Sequence, residues 1–424
     1  MNPQLLSSKG SDRATGYNLS NKIIRHDGRL YTAWLDAPPV EKGLAIIRLG
    51  VCDGRTGALQ NIVTLGHGVD NHCGPALAVD HDGRMHTVIG GHHTPFQYRY
   101  SDNPADEASW SEPESMGPRN TYPSLVADGQ GTLHMVHREG ALYDSNLPAD
   151  RQKPYEFWYR RKKAGRPWEA PVAITTSPTA GYCHFMQSLS VGPAGALHLF
   201  FQHHYTDGDL PNHMRGRMGV YLRSDDGGDT WFNEGKRCEL PLPIEASIPF
   251  FDCPQRGLRI NNHVVDSEDR PWVFSSITTE KHGILQRRAE TGWETVDIGG
   301  SLGNLNMSGG HSRDAAITRG ADGNIHVVIA TNPDDQPSDW YHPRHELFHM
   351  VLEETGHVRS FGQFSATDPK AANWLPAPEN WDWVRKETVC ADGPWLLYTK
   401  GLNLGGIGGQ NANAHQTEVY LTHL

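Results

Sequence analysis

The sequence predicts an all-β chain, a seven-bladed β-propeller of four-stranded antiparallel blades forming a single domain over residues 1–424. Three observations predict it. A short apolar strand, an Asp/Gly turn and a second alternating strand recur along the whole chain. A third alternating strand, often with a Trp-containing fourth segment, follows most copies. No amphipathic pattern of helical period persists beyond two turns.

Taken in order, the copies are IIRHDGRLYTAWL, LAVDHDGRMHTVIGG, LVADGQGTLHMVHR, LSVGPAGALHLFFQ, VVDSEDRPWVFSS, ITRGADGNIHVVIA and VCADGPWLLYTK. Their turns fall at Gly28, Gly83, Gly131, Gly195, Asp269, Gly323 and Gly393, about sixty residues apart on average. Each turn lies between two runs of period two, the mark of a hairpin. The third strands read AIIRLGV, FQYRYS, FWYRRK, VYLRSD, ILQRRA, LFHMVL and EVYLTHL. The last copy runs out after three strands, while residues before Ser20 belong to no copy. The N-terminal segment is therefore expected to close the ring as the outer strand of the last blade. Ser224, Asp226, Gly228, Thr230 and Trp231 spell the Asp-box hairpin, in which Asp226 holds the turn backbone and Trp231 packs between sheets. This is a structural device, so the Asp226 carboxylate is not expected to be catalytic.

Bulk properties narrow the function. With 38 basic and 49 acidic residues the net charge is −11, and mean hydropathy is −0.57. No basic footprint for nucleic acid exists, and no apolar run reaches the ~18 residues of a membrane span. A monomer binding neither nucleic acid nor membrane is expected. An acidic substrate would need a local cationic pocket, because the global field slightly opposes it. The N-terminus lacks a charged region followed by an apolar stretch, so no signal peptide is expected; the compartment stays open between the cytoplasm and export with a leader removed. Six scattered cysteines form no disulfide framework, with Cys238 and Cys253 the one pair to check. There is no GxSxG, P-loop or HExxH motif, and no arginine triad of the sialidase kind.

Propellers bind ligands over the central channel, where strand ends from several blades converge. His72 starts the strand HCGPALAVD and His92 ends the next, in GGHHTP, so the two imidazoles should be neighbours; strand alternation turns His93 the other way. Tyr122 and Arg138 repeat that geometry one blade on, and an arginine ending an apolar strand wants a carboxylate partner from protein or ligand. A third cluster, FQHHYTDGDLPNHMRGR, offers His203, His204, Tyr205, Asp207, His213, Arg215 and Arg217. It suits either a substrate wall or a metal site of His203 or His204 with His213, and Cys183 or His184 as further donors. His263, His311 and Arg313 could line the same face. Of these, His93, His137, His204, Tyr205, Arg215 and His311 are assigned to substrate binding, and His203 and His213 to a structural zinc or calcium ion.

The pattern H-x-x-P at His72 to Pro75, then D-x-D-G, H-x-x-P at His92 to Pro95 and Y-R at Tyr98 and Arg99, with T-Y-P at Thr121 to Pro123 and the arginine of HREG, resembles the neuraminidase-repeat propellers that include the ulvan lyases. The resemblance is firmest over residues 70–140. It implies a polysaccharide lyase acting on rhamnose–glucuronate polymers, with His72, His92, Tyr122 and Arg138 as the catalytic set. The chemistry suits those residue types. β-Elimination removes the proton on C5 beside a carboxylate and protonates the oxygen leaving C4. Arg138 would neutralise the carboxylate, and Tyr122 or a histidine would move the proton. No cofactor is required for this chemistry. Two alternatives stand beside it, a glycoside hydrolase of rhamnosidase type on the same fold and a non-catalytic carbohydrate-binding propeller.

Overall fold

All seven turn positions of the repeat take positive φ: Gly28 (70°), Gly83 (84°), Gly131 (75°), Gly195 (83°), Asp269 (64°), Gly323 (80°) and Gly393 (131°). This left-handed region is nearly free for glycine and strained for most other residues, which is why glycine marks six of the seven. The computed structural model describes residues 3–38, 43–140, 155–176, 186–203, 217–253, 257–277, 282–298, 315–331, 345–385, 393–401 and 417–424.

The chain is all-β, built of antiparallel sheets, with only two single-turn 3₁₀ segments, Glu107–Ser109 and Ile244–Ala246, among the described residues. The strands pair in consecutive units. The first unit is Ile23–His26, Arg29–Asp36, Ala45–Asp53 and Leu59–Gly68. The second is Ala76–Val79, Met85–Ile89, His92–Ser101 and the start of Glu114–Ala127. That long strand continues into the third unit, where it pairs with Leu133–Glu139, followed by Glu156–Lys162 and Val172–Thr176. Met186–Val191, Leu197–His203 and Met218–Ser224 head the fourth. Leu258–Val265 opens the fifth and Ala315–Arg319 the sixth, each a four-stranded sheet. Ala372–Pro378, Trp395–Gly401 and Thr417–His423 form the last, and the N-terminal strand Gln4–Gly10 pairs with Thr417–His423 at its outer edge. The first strands of successive units touch in chain order, and Ile23–His26 also contacts Trp395–Gly401.

Burial follows the alternation. Among the described residues, seven apolar clusters lie between neighbouring units, one of them (Ile23, Trp34, Trp395, Leu397, Leu421) joining the last unit to the first. In the fourth unit, Asp226 accepts hydrogen bonds from Thr230 N (2.8 Å) and Thr230 Oγ1 (2.6 Å), and buried Trp231 meets Tyr159 edge-on at 5.3 Å. Cys52, Cys73, Cys238 and Cys253 are free thiols, so the Cys238–Cys253 pair is not a disulfide.

A device not anticipated from the sequence ties the turns to the sheets. On the second strand of a unit, a buried histidine bridges the turn aspartate and a tyrosine on the third strand. His86 joins Asp80 (3.1 Å) to Tyr98 (2.8 Å) and His134 joins Asp128 (3.1 Å) to Tyr159 (2.8 Å), whereas His198 of the fourth unit, whose own turn has no aspartate, meets Tyr221 (2.9 Å) and lies 3.4 Å from Asp269 in the turn of the next unit. In the fifth unit Trp272 Nε1 donates to Asp266 instead (2.9 Å). Replacing His134 with Phe keeps the volume but leaves the Asp128 carboxylate short of a buried donor. It should lower stability by about 1–3 kcal/mol in denaturant melts without touching the site below.

Burial also sets the pH response. His137 and His349 are pushed down to about 3, His137 by burial and then by Arg160, His349 by burial and then by His326. Between that value and the ordinary ~6.5, the unfolded chain binds protons that the folded chain refuses, so stability rises with pH across this window. The depressed carboxylates Asp80 and Asp128 act in the same sense at lower pH: burial opposes their depression, but hydrogen bonds from His86 and His134 outweigh it. Asp12, raised to about 6 by burial, acts the other way. Melting temperature should therefore fall steadily from pH 7 to pH 4, and a flat profile would contradict this ionisation pattern.

Candidate active site

The site forms where a loop, a strand start and a bulge meet at the end of the second and third units opposite their tight turns. His72 lies in the loop before Ala76, rather than in the strand, and His92 opens the third strand of its unit, rather than ending the second. The expected contact between the two forms nonetheless. Their rings stack at 4.1 Å with an interplanar angle of 17°.

Asp70 holds the pair. Its Oδ1 lies 3.1 Å from His72 Nδ1 and its Oδ2 lies 2.5 Å from His92 Nδ1, while the His72 backbone N–H donates to it at 2.8 Å. Burial alone would raise this carboxyl, but the hydrogen bonds from the two histidines outweigh it and hold Asp70 well below the usual carboxylate range. His72 Nε2 meets the Arg13 guanidinium, which also donates to Tyr17 Oη at 2.5 Å. Burial, and then the positive charge of Arg13, keep His72 far below its ordinary value and hence neutral.

Tyr122 sits in the middle of the strand Glu114–Ala127 on a bulge. Between the pairs Val136–Ser124 and Arg138–Thr121 the Tyr122 strand carries one extra residue, Tyr122 has φ of 57°, and Pro123 offers no N–H for the ladder. The bulge aims the phenol at the histidines, with ring centroids 6.3 Å from His72 and 6.5 Å from His92, and Tyr17 meets it edge-on at 5.1 Å. Non-glycine residues held at positive φ store strain and gather at functional sites. His93 has φ of 54° at a register shift between His92 and Thr94. Simple alternation therefore fails there. Its ring stays beside His92 at 4.6 Å and meets Tyr155 edge-on at 5.9 Å, so it does not turn away. Its basicity is pushed down to about 3, by burial and then by Arg138.

Arg138 is fully buried, its guanidinium 4.7 Å from the Tyr122 ring centroid and 5.1 Å from that of Tyr155. It lies behind the phenol rather than open to a ligand. Its charge therefore lies close to the Tyr122 ring. His137, on the opposite face of the same strand, is buried against Phe96 (5.7 Å) and does not reach the cluster, because alternation that brings Arg138 in turns its neighbour out. His263 is buried and held by Ser188 (2.8 Å) and Ser190 (2.5 Å) on the neighbouring unit's first strand, and makes no described contact with the histidine pair. His203 is a fully buried strand end, and Arg217 pairs with Asp252 at 3.3 Å. His204, Tyr205, His213, Arg215, Cys183, His184, His311 and Arg313 lie outside the described residues.

Four residues that the sequence reading passed over complete the site: Asp70, Arg13, Tyr17 and Lys22. Asp70 was legible as a carboxylate two residues before His72. The other three come from the N-terminal segment, which carries no repeat. Residues 11–20 are buried as they cross from the last unit, with Thr15 Oγ1 donating to Leu375 O (2.6 Å) and Ser124 Oγ donating to Leu19 O (2.6 Å). Lys22 Nζ donates to Pro75 O, and burial lowers it to about 7. Tyr17, Lys22, His72 and Tyr122 line a small cavity.

Among the described residues, Asp70, His72 and His92 are the group whose ligand atoms converge, all within 4.8 Å. They do not suit a cation as arranged. The carboxylate bridges both Nδ1 atoms and a guanidinium already occupies the other face of His72.

Residues 29–300 match the model of a BNR repeat-containing family member. The chain belongs to the BNR repeat-containing family. No curated protein matches it. Its fold is similar to a solved structure described as a new family of polysaccharide lyase, PL25 ulvan lyase, with TM-score 0.71 at 15% identity over 100% of this chain and 96% of that one. It is also similar to the polysaccharide lyase Uly1, with TM-score 0.58 at 12% identity over 100% and 99% of the two chains. At such identities the likeness is one of fold, and the BNR-family chain must be assigned its chemistry from its own residues.

Proposed function

We propose that this BNR-family chain is a seven-bladed propeller, closed by its N-terminal strand, that acts as a polysaccharide lyase on a uronate-containing, ulvan-like polymer or its oligosaccharides. The ring reading rests on the cyclic order of strand contacts and apolar clusters, including the cluster between last and first units. The lyase reading rests on one observation above all: a carboxylate-anchored histidine pair stacked beside a tyrosine whose ring lies over a buried arginine.

That arrangement suits proton abstraction next to a carboxylate. Asp70 orients both imidazoles through Nδ1. The Arg138 charge behind Tyr122 favours phenolate, which a tyrosine of ordinary pKa ~10 needs if it is to serve as a base near neutrality. Arg138 gives the site a positive field for a uronate carboxylate and for the charge that develops on it as C5 loses its proton. In a glucuronate, the C5 proton and the C4 oxygen lie on one face of the ring. A histidine and a tyrosine on one side of the sugar can therefore remove the proton and return one to the leaving oxygen. The His72, His92, Tyr122 and Arg138 set carries these steps, with His93 as a substrate contact.

Incubation with ulvan should produce an ultraviolet-absorbing product from the new C4=C5 double bond. Reducing ends released without that absorbance would favour a hydrolase on the same fold and sink the lyase reading.

A further inference from the structure

The two histidines are not equivalent, and the difference comes from a residue outside the repeat. A guanidinium has only donors, and no protein environment deprotonates it. The nitrogen it meets, His72 Nε2, must therefore be an acceptor, and the one remaining ring proton sits on Nδ1, facing Asp70. His92 makes the same Nδ1 contact with Asp70, yet none of the described contacts places a guanidinium on its Nε2. His92 is also the more open of the two, with side-chain exposure of 18% against 10%.

We propose that Arg13 is a positioning residue that divides the labour of the pair. By donating to His72 Nε2 and Tyr17 Oη, it fixes His72 as the neutral Nδ1–H tautomer and leaves His92 Nε2 as the imidazole nitrogen that exchanges a proton with the sugar. Through Tyr17, packed edge-on against Tyr122, the same guanidinium braces the phenol. The N-terminal segment that pairs with the last unit thereby also sets the proton inventory of the site. This assignment rests on the lyase reading for its substrate, but its structural half does not.

The test is long-range ¹H–¹⁵N spectroscopy of the full chain labelled at histidine, with His72 assigned from the H72Q variant, alongside kinetics of R13M and R13K. Near neutral pH, His72 should carry its proton on Nδ1 with a bare Nε2. R13M should lose that fixed tautomer and lower kcat by about 10²-fold with KM little changed, the scale on which a misplaced group slows a reaction. R13K, which keeps one donor, should fall between R13M and wild type. A wild-type His72 protonated on Nε2 would overturn the proposal, as would R13M with an unchanged tautomer and a kcat within about twofold of wild type. Should R13M not fold, the wild-type spectrum and R13K decide. If no uronate polymer yields an unsaturated product, elimination fails while the tautomer result still stands, so the two failures are distinguishable.

Discussion

Replacing His92 with glutamine should lower the rate of uronate cleavage by about 10²–10⁴-fold, the contribution of a positioned proton-transfer group, with folding intact. Glutamine can keep a hydrogen bond toward Asp70 but supplies no nitrogen that gains and loses a proton. His92 is only partly buried and opens a strand, so the fold has little reason to depend on its ring. Thermal melts should stay within a few degrees of wild type. KM should move far less than kcat, because the lost interaction belongs to proton transfer and not to ground-state binding. Wild-type rates in H92Q would remove His92 from the chemistry.

Changing Asp70 to asparagine should be more severe for its size. The carboxylate accepts from two imidazoles and from the His72 backbone N–H at once. An asparagine oxygen can satisfy one ring N–H, but its amide group then points two donors toward the other. That histidine must move its proton to Nε2 or swing away. If it is His72, the new Nε2–H confronts the Arg13 guanidinium, donor against donor. In serine-protease triads the same exchange of aspartate for asparagine strands the histidine in the wrong tautomer and costs about 10⁴-fold in kcat; here about 10³–10⁴-fold is expected. The stability effect has a definite sign. A carboxyl held below its unfolded value contributes stability that is present above the unfolded pKa of ~3.9 and lost as pH falls through the folded value. D70N should therefore be less stable than wild type near neutrality, with the gap narrowing in strong acid. A variant that keeps full activity would mean that the bridged pair is only structural.

Much of this was legible in the sequence because it is periodic. A glycine is needed wherever the inner hairpin turns through positive φ, so Gly28, Gly83, Gly131, Gly195, Gly323 and Gly393 announce the repeat, and Asp269 is legible only by its spacing. The meeting of His72 and His92 follows from that register even though both lie just outside the strands expected to carry them. What failed depends on departures from regular geometry. Parity arguments turn His93 away, but the register shift at its left-handed backbone keeps it beside His92. The bulge at Tyr122 and Pro123 folds the phenol over the Arg138 guanidinium, a packing that regular strand alternation does not foretell. Arg13 and Tyr17 were out of reach because the sequence placed the N-terminal segment beside the last strand but carried no pattern saying which of its following side chains reach His72. Only the pairing of Gln4–Gly10 with Thr417–His423 sets the course by which the following residues reach His72. The turn histidines were visible in every D-x-x-G-x-x-H stretch, as in DHDGRMH, yet they act inside the sheets and not in catalysis.

The lyase assignment is tested most directly by cleaving ulvan in ¹⁸O-labelled water and weighing the products. Elimination breaks the C4–O bond without adding water, so the account predicts unsaturated fragments lacking the mass of an added water, with no ¹⁸O beyond what the reducing-end anomeric oxygen takes up by exchange. Saturated fragments, each heavier by one labelled water, would contradict it.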